Sequence, residues 1–421
     1  MGSETQILKD SKKAVVVEVI NPLVREISED SFEEFKLLVE TLGYEISAET
    51  TYIARKPNYG FFIGKGKVNE IRQIVKLLDT EVVFIDTKLS YLQIRNLSKE
   101  IGVPVVDRPH LILMIFDMRA KTKEGKLQVE LSELKMHLPE IVHSGISLDQ
   151  QVGSEMGLKG PGEKKTELKR RYIEKRIKVL EKKLLEIRKQ RMLRRKKRKR
   201  SNIPIIAIAG YTNSGKSTLL NKLTTPDAYV EDMLFSTLDT LVREGKLNGE
   251  KVLFVDTIGF IRDLPPALIY AFHSTLEEIL DAWIILHVTD VSVPDFSAKM
   301  ETVLRTINEL GASLIPRITV FNKIDKISEE KLNFLKQRYP EAVFISALKG
   351  EGIEALKERI GKEISRLHTS EKLFVPHDKQ SILSKIYDTL EVLHSESTEK
   401  GVFLVVKGFK QDVDRFKAYK V

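Results

Sequence analysis

The sequence Gly-Tyr-Thr-Asn-Ser-Gly-Lys-Ser at residues 210–217 decides the fold of this chain. Its spacing, G-x-x-x-x-G-K-[ST], is that of a loop whose backbone N–H groups point inward at phosphate oxygens. The apolar run at residues 203–209 favours a buried strand before the loop, and residues 218–223 favour a helix after it. A strand, this loop and a helix in that order predict a phosphate-binding loop.

The loop residues have separate expected roles. The lysine is expected to reach the β- and γ-phosphates of a nucleotide, and the last serine to place its hydroxyl on Mg²⁺. The start of the following helix adds a dipole that favours an anion. The residues expected to contact nucleotide here are Gly210, Tyr211, Thr212, Asn213, Ser214, Gly215, Lys216, Ser217 and Thr218.

Composition narrows the class of protein. The chain has 421 residues, of which 42% are hydrophobic and 31% charged, enough for about two to four domains. No apolar run reaches the roughly 18 residues that span a bilayer, and residues 1–13 lack the apolar core of a secretory signal. There is no cysteine, and the eight histidines show no metal-ligand spacing. We therefore expect a cytoplasmic, globular protein that is a monomer in solution.

The positive charge is concentrated in one segment. Net charge is +9, from 69 basic and 60 acidic residues. Residues 188–200 contain ten basic residues and no acid, so the rest of the chain has 59 basic against 60 acidic residues. Such a segment favours contact with a polyanion such as RNA. A solvated linker without a partner is the alternative.

The first 120 residues alternate strand and helix patterns, which predicts an N-terminal α/β domain at residues 1–120 with a largely parallel sheet. Ser31-Phe32-Glu33-Glu34 forms a capping box that is expected to open a helix. Residues 60–67 resemble a phosphate loop only loosely, and a structural turn is the favoured interpretation. Strands are expected at residues 14–20, 44–54, 81–86 and 103–107, and helices at residues 31–42, 68–78, 89–101 and 109–118.

Two heptad stripes follow and predict an antiparallel helical hairpin as a linker at residues 121–200. Pro139 is expected to end or kink the first helix. The glycine-rich residues 153–163 are expected to form a non-helical tip that orders on binding. The stripes consist of Leu127, Leu131, Leu134, Leu138 and Ile141, and of Ile173, Ile177, Leu180, Leu184 and Ile187.

The last two parts are also α/β. Strands expected at residues 251–256, 283–290, 318–322 and 343–346 alternate with helices, which predicts a doubly wound P-loop domain at residues 201–367. A small C-terminal α/β appendage is expected at residues 368–421. In it we expect a strand at 372–375 stopped by Pro376, a helix at 380–393, a strand at 401–408 and a final helix.

Two further motifs can complete a metal and phosphate site. Asp256-Thr257-Ile258-Gly259 ends an apolar strand, where Asp256 can hold a Mg²⁺-bound water and the Gly259 N–H can bind the γ-phosphate. Phe235-Ser236-Thr237-Leu238-Asp239 offers Thr237 as a second hydroxyl ligand, although Thr240 or a purely structural threonine fits the residues equally well. The expected catalytic residues are Lys216, Thr237 and Gly259. The expected Mg²⁺ ligands are Ser217, Thr237 and, through water, Asp256.

Asn322-Lys323-Ile324-Asp325 follows another apolar strand and predicts selection of guanine. The Asp325 carboxylate can accept from N1–H and the exocyclic amine of guanine, whereas adenine would leave it unpaired. Asn322 is expected to brace the loop, and Lys323 to lie against the base or ribose. Ser346-Ala347-Leu348 is expected to close the pocket, with the Ala347 N–H aimed at the guanine carbonyl.

Phe260 stands where many GTPases have a glutamine that orients the attacking water. Phenylalanine cannot make that hydrogen bond, which predicts slow intrinsic turnover that a partner accelerates. The alternative is that Phe260 only packs and another side chain positions the water.

These motifs together resemble the HflX family of GTPases over about residues 14–367. The resemblance rests on residues 63–68, 107–109, 124–131, 160–163, 210–217, 235–239 and 256–262. It implies an N-terminal α/β domain, a helical linker and a GTPase domain that uses GTP or GDP and Mg²⁺. It also supports Thr237 as the Mg²⁺ ligand.

The resemblance further implies binding to the large ribosomal subunit and its RNA and, in bacterial members, splitting or rescue of stalled ribosomes. A GTPase that assists ribosome assembly is an alternative. A third possibility is an RNA-binding scaffold in which the nucleotide only stabilises the fold.

Overall fold

The structure is a computed structural model, and it describes residues 12–20, 29–54, 58–149, 161–200, 203–224, 241–247, 249–257, 259–262 and 277–421. The chain divides near residue 184 into two compact units. The first holds the N-terminal sheet and most of the helical linker, and the second holds the two remaining sheets. No helix among the described residues is long and apolar enough to cross a membrane.

The N-terminal sheet has four parallel strands in the order β2-β1-β3-β4. Strand β1 lies inside the sheet, and its Val15, Val16 and Val17 are completely buried, as expected for a parallel sheet covered on both faces. The elements are β1 Lys12–Ile20, α1 Glu29–Thr41, β2 Tyr44–Ile53, α2 Lys65–Leu78, β3 Val82–Asp86, α3 Tyr91–Ile101, β4 Val105–Asp107 and α4 Arg108–Arg119.

The expected capping box at residues 31–34 is wrong. Helix α1 already includes Glu29, so Ser31 lies inside it. Glu34 is buried and forms an ion pair with the buried Arg108, whose Nη1 also donates to Asp86 Oδ1 at 2.9 Å. The buried Arg108 guanidinium needs buried carboxylates as partners. Glu34 is one of them, so its side chain lies in the core and does not cap the start of the helix.

The linker consists of two helices, α5 Lys123–Asp149 and α6 Pro161–Arg200. Four residues of each apolar stripe pack together around the buried Leu131, Ile173, Ile177 and Leu180. The fifth residue of the first stripe, Ile141, has a side chain outside the described part, and the fifth of the second, Ile187, is not in this cluster. Of the two effects expected of Pro139, an end or a kink, the end is wrong, because helix α5 continues through this proline.

Residues 161–163 are also helical rather than part of a glycine-rich tip. Proline is favoured in the first turn of a helix, where its missing N–H would have no partner anyway. Residues 150–160, the remainder of the expected tip, lie outside the described residues.

The central sheet of the second unit has the order β10-β9-β8-β5-β7-β6. All its strands run parallel except β6, an antiparallel edge strand that the sequence did not predict. Strand β10 ends two residues earlier than expected. The elements are β5 Ile205–Gly210, α7 Lys216–Leu223, β6 Leu241–Leu247, β7 Glu250–Asp256, β8 Ile284–Asp290, α8 Phe296–Glu309, β9 Arg317–Asn322, α9 Glu329–Arg338, β10 Val343–Phe344 and α10 Ile353–Leu367.

The C-terminal sheet is antiparallel, with the order β11-β13-β12. Pro376 is the last residue of β11 and pairs with Gly401, so the strand is longer than expected but still ends at the proline. The expected helix at 380–393 is too long, because residues 391–398 pair with β13 as a strand instead. The elements are β11 His368–Pro376, α11 Gln380–Thr389, β12 Glu391–Thr398, β13 Gly401–Phe409 and α12 Lys410–Asp414.

The expected fold class is confirmed. An N-terminal α/β domain, a helical linker, a doubly wound α/β domain and a small C-terminal α/β part follow one another along the chain.

The buried Arg108 predicts a large effect on stability. Arg108→Ala would leave the Glu34 and Asp86 carboxylates buried without their cation, which costs about 3–5 kcal/mol. The N-terminal transition in differential scanning calorimetry should move to lower temperature. Arg72→Ala is the control, because Arg72 and Glu100 form an exposed pair of the kind that contributes about 0–1 kcal/mol. Equal melting temperatures for the two variants would contradict the role assigned to Arg108.

Candidate nucleotide-binding site

Polar groups gather at the carboxyl ends of four neighbouring strands, β7, β5, β8 and β9. Strand β5 lies between β7 and β8, so the chain adds β6 and β7 on one side of β5 and then crosses to β8 on its other side. Such a reversal opens a crevice at the carboxyl ends of the strands, where ligands of doubly wound proteins bind. The loop after β5, Asp256 at the end of β7, Asp290 at the end of β8 and Asn322 at the end of β9 all lie at this edge.

The two glycines of the phosphate loop are required by their surroundings. A Cβ at Gly210 would lie 2.2 Å from the Val288 carbonyl oxygen, and one at Gly215 would lie 2.2 Å from Asn322 Nδ2. Gly215 also has a φ of 88°, which side chains rarely adopt. The sequence pattern G-x-x-x-x-G is therefore needed to pack the loop against β8 and β9.

Lys216 is buried at the start of α7, and its Nζ donates to the Tyr211 carbonyl at 2.8 Å. Burial lowers the pKa of Lys216 to about 8; the Asp256 carboxylate opposes this shift and Lys323 adds to it. The loop thus holds a desolvated cation that an incoming anion would stabilise.

Ser217 and Asp256 form the part of the site that fits a divalent cation. Ser217 Oγ donates to Asp256 Oδ2 at 2.8 Å, and Asp256 is fully buried. A hydroxyl and a carboxylate are the hard oxygen donors that Mg²⁺ prefers. Nearby, the buried hydroxyls of Thr212 and Ser214 have no hydrogen-bond partner among the described residues, which is unfavourable unless a ligand supplies one.

The chain after β7 is joined to the phosphate loop through its backbone. The Phe260 N–H donates to the Gly210 carbonyl at 3.1 Å, and the Phe260 carbonyl accepts from the Thr212 N–H at 2.7 Å. A Cβ at Gly259 would lie 3.0 Å from Lys216 Nζ. Gly259 therefore lies against the phosphate loop, and the Phe260 side chain is buried.

Asn322 connects the phosphate loop to the predicted base-recognition loop. Its Nδ2 donates to the Ser214 carbonyl at 2.8 Å, and its Oδ1 accepts from the Ala347 N–H at 2.9 Å. The side chain braces the loop, as expected. The Ala347 N–H was expected to point at a guanine carbonyl, but in the structure Asn322 accepts its hydrogen bond.

Asp290 is a site residue that sequence reasoning missed. Its Oδ2 lies 2.8 Å from Lys323 Nζ, and its Oδ1 accepts from the Ser292 N–H at 2.9 Å. Lys323 Nζ is also 3.4 Å from Asn213 Oδ1. Asp290 thus positions Lys323 beside the phosphate loop. Its place directly after the apolar run of β8 was the signal in the sequence.

Asp325 and Ser346 lie together at the far side of the edge. A hydrogen bond from Ser346 is the main cause that lowers the pKa of Asp325, and Lys349 and Lys326 act in the same direction. Asp325 is therefore an ionised acceptor at neutral pH. Ser346 is fully buried, whereas Leu348 is 71% exposed, so only the first part of the Ser346-Ala347-Leu348 loop is fixed by packing.

Several predicted site residues lie outside the described residues. They are Phe235, Ser236, Thr237, Leu238, Asp239 and Ile258. Of the others, Thr218 is half-buried in the first turn of α7. Thr257 follows the end of β7, and its hydroxyl donates a hydrogen bond to the Ile208 carbonyl of β5.

The phosphate loop, the serine–aspartate pair and the Asn-Lys-Ile-Asp loop meet at one edge of a doubly wound sheet. This arrangement defines the class of P-loop GTPases.

Comparison with known protein families extends this result over the chain. Residues 29–117 match the family described as GTP-binding GTPase N-terminal, and residues 119–198 match the GTP-binding GTPase middle region. Residues 205–323 match the 50S ribosome-binding GTPase family, and residues 334–415 match the HflX C-terminal domain. The last match lies largely beyond residue 367, so the family likeness extends further along the chain than the sequence motifs indicated.

Two relatives of known family agree with these matches. GTPase HflX of Caldanaerobacter subterraneus is 40% identical over 94% of this chain and 91% of its own length. GTPase HflX of Escherichia coli is 38% identical over 88% of this chain and 87% of its own length. A crystal structure of a GTP-binding protein from Sulfolobus solfataricus in complex with GDP is 27% identical; the match covers 85% of this chain and 99% of that chain, with a TM-score of 0.47.

The chain belongs to the HflX family of GTPases. It is a GTP-binding enzyme that hydrolyses GTP, and its GTPase domain is of the ribosome-binding type.

The lowered pKa of Lys216 predicts a pH dependence of nucleotide binding. Bound phosphates stabilise the charged form, so above about pH 8 binding must take up a proton and GDP affinity should fall by up to about tenfold per pH unit. Isothermal titration between about pH 7 and 9.5, in buffers of different ionisation enthalpy, measures both effects. Lys216→Arg is the control, because its side chain stays charged over this pH range. Any loss of affinity that comes from titration of guanine itself would affect both proteins equally. Parallel affinity curves for the two proteins would refute the role of Lys216 titration.

Proposed function

We propose that this protein is a GTP-driven switch that associates with the large ribosomal subunit and splits or rescues stalled ribosomes. The observation that carries the proposal is the Asn322 bridge between the phosphate loop and the base-recognition loop, in a domain matched to ribosome-binding GTPases. A ribosomal partner also makes the cytoplasm the expected location. We expect the free protein to be a monomer.

In the proposed complex, the backbone of residues 210–215 and Lys216 hold the phosphates, and Asp325 recognises guanine. Asp290 holds Lys323 in place beside the phosphate loop. Ser217, Thr237 and, through water, Asp256 hold Mg²⁺. When bound, Mg²⁺ offsets negative charge on the β- and γ-phosphates.

The hydrolytic step needs a water held in line with the γ-phosphate. Phe260 is buried and has no side-chain group that can hold water. Its backbone is joined to Gly210 and Thr212, which keeps Gly259 next to Lys216. We therefore propose slow hydrolysis by the free protein, with the ribosome supplying or ordering the group that positions the water.

The domains outside the GTPase domain would couple the nucleotide that is bound, GTP or GDP, to contacts with the ribosome. We propose domain boundaries at residues 1–120, 121–200, 201–367 and 368–421. Helix α6 extends through the ten basic residues of segment 188–200, which suits contact with the phosphates of ribosomal RNA. Nucleotide-dependent order at Thr237 and at residues 259–262 would be the signal that these parts transmit.

Co-sedimentation with ribosomes tests the proposal. Wild-type protein with a non-hydrolysable GTP analogue should sediment with large subunits and convert intact ribosomes into subunits, and GDP should weaken both effects. With GTP, ribosomes should accelerate phosphate release in a single turnover. Ser217→Ala should lose these effects, because the hydroxyl facing Asp256 is absent.

Other outcomes favour the alternatives. Binding only to immature subunits, without splitting, would favour an assembly GTPase. Ribosome binding and splitting that persist unchanged in Ser217→Ala would favour an RNA-binding scaffold. Fast hydrolysis by the protein alone would contradict the proposed dependence on the ribosome.

A further inference from the structure

The N-terminal domain presents an aromatic ring that neither its core nor the nucleotide site uses. Tyr59 is 94% exposed, at the tip of the loop formed by residues 58–62, which we call the Tyr59 loop. A single exposed apolar side chain needs no explanation in itself. The way in which this loop is held, and the charge around it, are the observations that point to a partner.

The Tyr59 loop is closed by hydrogen bonds within itself. The N–H groups of Asn58 and Phe62 each donate to the carbonyl of the other, at 3.0 and 2.8 Å. Asn58 Oδ1 accepts from the N–H groups of Gly60 and Phe61, at 2.8 and 3.1 Å. Four bonds within five residues fix the backbone that carries the tyrosine.

Side chains of helix α3 hold the same loop from outside. Gln93 Nε2 lies 3.3 Å from the carbonyl oxygens of Asn58 and of Tyr59, and Asn96 Nδ2 donates to the Gly60 carbonyl at 3.0 Å. On the other side of the tip, Phe61 and Phe62 pack against the domain core. The loop is therefore held on both sides, and the Tyr59 ring at its tip extends into solvent.

The backbone is held in a conformation that its sequence does not favour. Phe62 has a φ of 64°, a left-handed region in which phenylalanine is rare. Such a residue persists only where surrounding contacts determine the conformation. A loop fixed in this way loses little conformational freedom when a partner binds its tip.

The charge of the surrounding sequence favours an anionic partner. Between Glu49 and Glu70 the chain has four basic residues and no acidic one, namely Arg55, Lys56, Lys65 and Lys67. Lys65 is exposed next to the loop in sequence. Lys67, by contrast, is paired with Glu70 at 2.7 Å. An exposed aromatic ring close to an exposed cation is the combination by which proteins bind unpaired bases of RNA, through stacking and phosphate contacts.

We propose that Tyr59 is a stacking platform for an unpaired base of ribosomal RNA. The inference rests on the proposed function, because it names one point of contact between this chain and the ribosome. The ring stacks on the base, and Lys65 meets an adjacent phosphate. Stacking tolerates any base, so Tyr59 contributes affinity rather than sequence selectivity.

Binding of full-length variants to large subunits, with a GTP analogue present, tests the inference. Tyr59→Ala should bind roughly 10- to 100-fold more weakly, whereas Tyr59→Phe, which keeps the ring, should bind as the wild type does. Leu77→Ala is the matched control, since Leu77 is 84% exposed at the other end of α2 and its loss should change nothing. GTP hydrolysis without ribosomes should be equal in all four proteins.

The salt dependence of binding separates stacking from charge. Tyr59→Ala should give a line parallel to the wild type in a plot of log affinity against log salt concentration, while Lys65→Ala should lower the slope by about 0.7–0.9. Ultraviolet cross-linking followed by mass spectrometry should find a nucleotide attached to the peptide that contains Tyr59. Attachment of that peptide to a ribosomal protein would overturn the inference in favour of a protein partner.

The remaining outcomes are distinct for the two proposals. If wild type binds and Tyr59→Ala binds equally well, the stacking inference fails and the proposed function stands. If Tyr59→Phe is as weak as Tyr59→Ala, the hydroxyl and not the ring makes the contact, and stacking is refuted. If the wild type binds neither intact ribosomes nor large subunits, the proposed function fails and the inference fails with it.

Discussion

The pair of hydrogen bonds made by the buried Asn322 side chain is the constraint on which the site depends. One end of the amide holds the carbonyl of Ser214 in the phosphate loop, and the other holds the N–H of Ala347 in the loop after β10. The two loops are more than 100 residues apart in sequence, and a buried amide left without either partner would be costly. The phosphate loop and the loop after β10 are thereby held at a fixed distance before any ligand arrives, and such preorganisation lowers the cost of binding.

Close packing at this edge of the sheet explains the identity or the pKa of several neighbouring residues. Gly215 must lack a side chain because Asn322 lies where a Cβ would be. Lys216 is desolvated by the same close packing, and its lowered pKa is the consequence. Asp290 then fixes Lys323 beside the phosphate loop. Each of these features follows from bringing three strand ends together in one crevice.

Motifs with a fixed spacing were the most predictable part of the molecule. The phosphate loop, Asp256 and Asn322 are contributed by strands whose apolar runs are evident in the sequence, so both fold class and loop positions followed from pattern alone. Strand β12 was missed because its side chains are mostly exposed. Strand β6 was missed because one of its two buried positions is Gly245, so the sequence shows little apolar alternation. Pairing with a neighbouring strand decides the structure of both. Asp290 was missed because it acts through Lys323, a contact that only the fold creates. The ion pair of Glu34 with Arg108 could not be foreseen either, since it joins residues far apart in sequence.

The account as a whole requires that the edge organised by Asn322 is a pocket for guanine nucleotides, with Asp325 reading the base. Isothermal titration of GDP, ADP and xanthosine diphosphate against wild type and Asp325→Asn tests this directly. Wild type should prefer GDP to ADP by at least about 1,000-fold, because adenine leaves the carboxylate unpaired. Asp325→Asn should prefer xanthosine diphosphate, because its amide can donate to the carbonyl that replaces the guanine amine. Equal affinity of the wild type for GDP and ADP, or an unchanged guanine preference in Asp325→Asn, would contradict the account.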